Sequence, residues 1–176
     1  DAARESIRTA ELLVQTRDAA NTAGAARLLA VRAELLLLDG QFAESTLLHG
    51  RALDLAFMTE GPDSYIAEVT LLERAFALLR RERMDEARSV FEQAMTIMRR
   101  RGAASRVGEA VATASFWATA AGTNAMDLAI PIRAIQASHD TLQSLGSAVP
   151  PVVVARVDFL LGAMYLNWTD VRRGKD

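Results

Sequence analysis

The sequence predicts an all-α chain built of antiparallel helical hairpins, about seven to eight helices in all, and three observations predict it. Alanine is the commonest residue, 33 of 176, against 10 glycines and 4 prolines, a composition that favours helices over strands. Apolar and small residues recur at spacings of three and four, the period of a helix with one buried stripe. The chain also repeats itself: residues 42–55, FAESTLLHGRALDL, align without a gap on residues 84–97, MDEARSVFEQAMTI. In that alignment Phe42 meets Met84, Glu44 meets Glu86, Ser45 meets Ala87 and Ala52 meets Ala94, while Leu53 and Leu55 meet Met95 and Ile97. The same 42-residue offset carries Arg32 and Ala33 onto Arg74 and Ala75. A fixed period of this length is the mark of a repeat architecture, in which each unit buries its apolar face against the next.

The elements follow in order. Residues 1–22 predict a half repeat, the second helix of a truncated unit, with Ala3 and Ala10 at its small positions. The first full repeat, 25–60, divides at Asp39-Gly40, where glycine tolerates the left-handed conformation that ends a helix. Gly61-Pro62 then breaks the chain, and Asp63 or Ser64 supplies the cap for the following helix. The second repeat runs 64–101, with Glu82 in the place of the turn glycine. A degenerate third repeat, 104–145, keeps Gly122 and Ala134. It contains Pro131, and a helix-interior proline costs ~3 kcal/mol, so a kink or restart is expected near Ile130. Pro151 suits the first turn of a terminal helix, 151–168. Val152 to Val154 has strand propensity, but no other segment offers it a pairing partner.

These features together resemble the tetratricopeptide repeat: a first helix with a small residue at mid-length, a glycine turn, an aromatic, then Ser45-x6-Ala52 or Ala87-x6-Ala94. The 42-residue spacing and the Gly61-Pro62-Asp63-Ser64 linker are similar to the longer variant found in kinesin light chains and many bacterial regulators. Leu161-Gly162-x-x-Tyr165 matches the family's first-helix pattern. The sequence departs from it at Met84, where an aromatic is usual, and at Glu82. The resemblance covers residues 1 to 168 and implies one right-handed α-solenoid over 1–176, a part of a larger protein.

Composition excludes several function classes. A net charge of −2 and a pI near 5.8 leave no basic surplus for nucleic acid. Without cysteine there are no disulfides, thiolate metal sites or thiol nucleophiles. The longest apolar runs, Leu35 to Leu38 and Val152 to Ala155, fall far short of the ~20 residues of a membrane span, and no secretory signal opens the chain. The missing initiator Met and the helical opening imply an excised piece of something longer. Basic charge rests on 19 Arg and one Lys, the bias of a high-GC and so bacterial genome, and the expected compartment is the cytoplasm.

The catalytic inventory is thin. His49 and His139 occupy non-equivalent places in the repeat. Phe91 is the counterpart of His49, which reads as a helix-packing residue. His139-Asp140 would be a base beside its orienting carboxylate, but sequence neighbours on a helix do not face each other, so His139 reads as solvated or capping. No His-x3-His or His-x2-Glu pattern suggests a metal, and no cofactor is expected. Asp85 and Glu86 fall in a first turn; Arg80-Arg81-Glu82-Arg83 and Arg99-Arg100-Arg101 fall at helix C-termini. Each such placement favours the helix dipole by ~0.3–1 kcal/mol; an anionic partner at one edge is the alternative.

The resemblance implies a concave wall lined by the first helix of each unit. Carried over residue by residue, the wall holds Arg27, Glu34 and Leu37, then Val69, Leu72, Phe76, Leu79 and Arg80. The third unit adds Glu109, Ala112, Phe116 and Thr119, and the last helix Arg156, Phe159, Leu166 and Asn167. Phe76, Phe116 and Phe159 would stack along it, although a phenylalanine at helical spacing fits a core position equally well. The wall suits an amphipathic helix or extended peptide, or it is filled by the protein's own flanking helices, in which case the exposed end helices would self-associate. Trp168, near the end of the last helix, marks that possibility. The expectation is a non-catalytic protein- or peptide-binding module of a bacterial regulatory or scaffolding protein. The alternative is a sensor that holds a small molecule or peptide among the three phenylalanines.

Overall fold

A computed structural model describes residues 22–102, 106–123 and 126–173, with side chains described as far as Leu166. The predicted half repeat before residue 22, and the side chains of Asn167 and Trp168, lie outside the described residues. Among the described residues the protein is all-α, without sheet, and its seven helices pack as sequential antiparallel pairs. They are α1 (Ala23–Leu38), α2 (Phe42–Glu60), α3 (Tyr65–Leu79), α4 (Met84–Arg100), α5 (Arg106–Thr123), α6 (Ala129–Ser144) and α7 (Pro151–Arg173). A single 3-10 turn, Gly146–Ala148, precedes α7. The chain forms two compact units. One holds α1, α2, α3 to Leu78 and α4 from Asp85; the other holds the Leu79–Met84 turn and the chain from Arg101 onward.

In the first unit, Thr22 starts α1 by accepting the Ala25 N–H on its hydroxyl at 3.2 Å, satisfying a donor the helix itself leaves open. The helix buries Ala25, Ala26, Ala30, Ala33 and Leu37, one stripe at helical period. Its partner α2 buries Ser45, His49, Ala52 and Ala56. Alanine against alanine and serine lets the two backbones approach closely, which explains the small residues that repeat at Ala33, Ser45 and Ala52. Between α2 and α3 the cap falls to Ser64, whose hydroxyl accepts the Ala67 N–H at 3.2 Å. Asp63 instead pairs with Arg100 at 3.1 Å, both side chains well exposed. Helix α4 is the most clearly two-faced, burying Val90, Phe91, Met95, Ile97 and Met98, with Asp85 and Glu86 in its first turn and Arg99 and Arg100 in its last.

In the second unit the core joins Ala110 and Ala114 of α5, Ile132, Ile135 and Leu142 of α6, Val149 of the linker, and Val157 and Met164 of α7. Pro131 breaks no helix. Helix α6 begins only two residues before it, so its missing N–H belongs to a turn whose donors lack intrahelical partners anyway. Asp127 Oδ1 accepts the Ala129 N–H at 2.9 Å and completes the restart. Val152 to Val154 is helical, inside the first turns of α7, because Val153 and Val154 help bury the unit's core and no second strand among the described residues could satisfy an extended backbone.

Candidate functional site

The predicted wall residues occupy very different environments. Leu37, Leu79, Ala112 and Phe116 are buried and belong to the interior. Phe116, fully buried, meets the Trp117 ring edge-on with centroids 5.6 Å apart. Phe76, Val69 and Leu72 are half-buried, and Arg27, Arg80 and Arg156 are exposed. Thr119 spends its hydroxyl on the Ser115 carbonyl one turn back, at 2.9 Å. Phe159 and Leu166 stand in solvent, 74% and 69% exposed, and Val152 is likewise 74% exposed. Residues 152, 159 and 166 are spaced by sevens, two turns apart, so they form one apolar stripe on α7. The three phenylalanines therefore span the whole range from core to surface.

Within the first unit, Arg27 and Val69 do come together, lining a crevice of about 10 Å³ with Ala30, Ile66, Thr70 and Glu73. That is room for about one water molecule. Nothing in the sequence singles out Glu73, which reads there as one more helix-surface carboxylate. Its Oε2 is buried without a hydrogen-bonding partner. Burial and the neighbouring Glu34 carboxylate push its acid up to about 7, with Arg27 opposing. Only the pairing of helices produces that juxtaposition. Nearby, His49 is fully enclosed; its Nδ1–H donates to the Ser45 carbonyl at 3.0 Å and Nε2 has no partner. Burial holds the imidazole below its usual range, with the Arg74 guanidinium acting in the same direction. His49 is thus a neutral packing residue, as is its repeat counterpart Phe91 in kind.

In the second unit an open cleft of about 390 Å³ lies between α5 and α6, lined by Arg106, Glu109, Ala110, Thr113, Ala134, Ala137, Ser138 and Thr141. Of these only Glu109 was predicted as a site residue. Two of the hydroxyls are already committed to their own helix, Ser138 to the Ala134 carbonyl at 3.0 Å and Thr141 to that of Ala137 at 2.8 Å.

His139 and Asp140, expected to point apart, meet: Nδ1 lies 3.2 Å from Asp140 Oδ1. The carboxylate is drawn over by Gln136, whose amide donates to it at 2.9 Å. That bond, and then His139, hold the Asp140 acid below its ordinary range. On the other side of the ring, Nε2 lies 3.2 Å from Asp158 of α7, a partner that sequence alone could not supply. Among the described residues no set of three or more His, Asp or Glu side chains is arranged to hold a metal ion. No described helix is long and apolar enough to cross a membrane. No protein-family model matches the chain, and no curated protein or solved structure matches it.

Proposed function

We propose that this chain is a protein- or peptide-binding module, an array of helical hairpins of the tetratricopeptide kind forming a right-handed solenoid within a larger bacterial regulatory or scaffolding protein. The observation that carries the reading is the stripe of Val152, Phe159 and Leu166, which α7 holds largely in solvent. Large apolar side chains lined up on one exposed helix face cost solubility and are a usual feature of surfaces that dock another polypeptide. An amphipathic helix or extended segment is the partner whose own apolar side chains match such a spacing.

Selection of displayed peptides on the immobilised protein tests this. The expected result is recovery of peptides whose binding is lost in Phe159→Asp while the melting temperature stays unchanged. Peptides whose binding survives Phe159→Asp, or failure to recover any, would overturn the α7 face as the docking site. Phe116→Asp is unsuited to the purpose, because a buried charge there would unfold the unit.

The α5–α6 cleft favours a second reading, a small-molecule sensor. Its volume, about 390 Å³, falls within the ~300–1,000 Å³ of ligand sites, and Arg106 and Glu109 offer both charges. Ligand binding there would raise the melting temperature in proportion to the logarithm of ligand concentration. A metabolite screen with no such rise removes the reading.

A further inference from the structure

We propose that His139 is a proton-operated clasp that fastens α7 to α6. Each ring nitrogen has a carboxylate oxygen at 3.2 Å: Nδ1 faces Asp140 on its own helix and Nε2 faces Asp158 on α7. An ionised carboxylate only accepts, so both contacts are hydrogen bonds only when both nitrogens carry protons, that is, in the imidazolium. A neutral ring has a single N–H and keeps one of the two.

The surrounding amides suit that neutral state. Gln136 Nε2 lies 3.4 Å from Nδ1 and Gln143 Nε2 lies 3.3 Å from Nε2, so a nitrogen that has lost its proton can accept from an amide of α6. Asp140 is held in addition by Gln136, and its bond to the ring stays within one helix. The Asp158 contact is the one that crosses between helices. Deprotonation at Nε2 hands that nitrogen to Gln143, and deprotonation at Nδ1 leaves Nε2–H as an uncharged donor; in either tautomer the ion pair with Asp158 of α7 is lost.

Among the described residues, the charged groups seen to face the ring are Asp140 from α6 and Asp158 from α7. The charges that α5 brings near α6, Arg106 and Glu109, line the cleft beside Ala134, Ala137, Ser138 and Thr141, on a different side of the α6 helix from His139. Imidazolium is favoured as pH falls, so the clasp closes toward acid pH and opens toward alkaline pH. This holds whether or not α7 docks a partner.

Amide hydrogen exchange of α7, corrected for the intrinsic effect of pH on the exchange chemistry, tests the clasp in the whole protein. The expected result is protection of α7 about two- to fivefold higher at pH 5.5 than at pH 8, the range set by a partly exposed ion pair. His139→Gln and Asp158→Asn should each flatten that difference. Because Glu73 also makes stability fall as pH rises, the comparison is repeated with Glu73→Gln present throughout: protection that is equal at the two pH values there, or a pH dependence that persists when Asp158→Asn is added, would overturn the proposal. Asp158 is exposed and its amide is nearly isosteric, so this variant decides the question even if His139→Gln folds poorly.

Discussion

Gly40 and Glu82 stand 42 residues apart and hold the same rare backbone conformation, with φ of 78° and 58°. Each sits in the turn that joins the two helices of a hairpin. Glu82 is the sole non-glycine with positive φ among the described residues. The same turn conformation is thus held at position 82 without a glycine. The outer ends of the hairpins repeat too, since α2, α4 and α6 are each followed by a positive-φ glycine, Gly61, Gly102 and Gly146.

Because a side chain in the left-handed region costs roughly 1 kcal/mol, Glu82→Gly should stabilise the protein by ~0.5–1 kcal/mol, part of the relief being offset by the greater freedom of glycine when unfolded. Gly40→Ala should destabilise it by ~1 kcal/mol. Nothing lies within 4 Å of a Cβ added at Gly40, so that loss is purely one of backbone conformation. Urea denaturation of both variants measures the pair, and opposite signs are the expected outcome.

Glu73 makes stability depend on pH. Its acid is raised from 4.5 to about 7, so between those values the folded protein binds a proton that the unfolded chain has released. Stability from this group is full below pH 4.5 and is lost as pH rises through 7. Glu73→Gln removes the buried charge. It should stabilise the protein at pH 8 by ~1–2 kcal/mol, a figure reduced for partial solvent screening, and change little at pH 4.5. Equal effects at both pH values would refute the assignment.

Ser64 and Asp63 are adjacent, yet their replacement should differ. Ser64→Ala removes the α3 cap and should cost ~1 kcal/mol. Asp63→Ala removes only the exposed pair with Arg100 and should cost no more than ~0.5 kcal/mol, falling further in high salt.

Phe116 and Phe159 separate core from surface. Phe116→Ala empties a fully buried site and should cost ~3–5 kcal/mol. Phe159→Ala, at a position 74% exposed, should stay within ~0.5 kcal/mol. Thermal unfolding followed by circular dichroism distinguishes the two directly.

The helices themselves were legible in the sequence because their causes are local. Spacing of small and apolar residues, the cap at Ser64, the breakers at Gly40 and Gly61, and the restart near Pro131 act within a turn or two of chain, and the 42-residue period exposed the hairpin. The chemistry was not local. Glu73 and Asp158 look like ordinary surface carboxylates until a neighbouring helix places Glu34 beside one and His139 beside the other. Phe116 and Phe159 recur on the same helical pattern, yet one is enclosed and the other is in water. Periodicity states which residues share a face of a helix. Which faces meet one another, and so which charges are stripped of solvent or paired, is decided only when the helices pack.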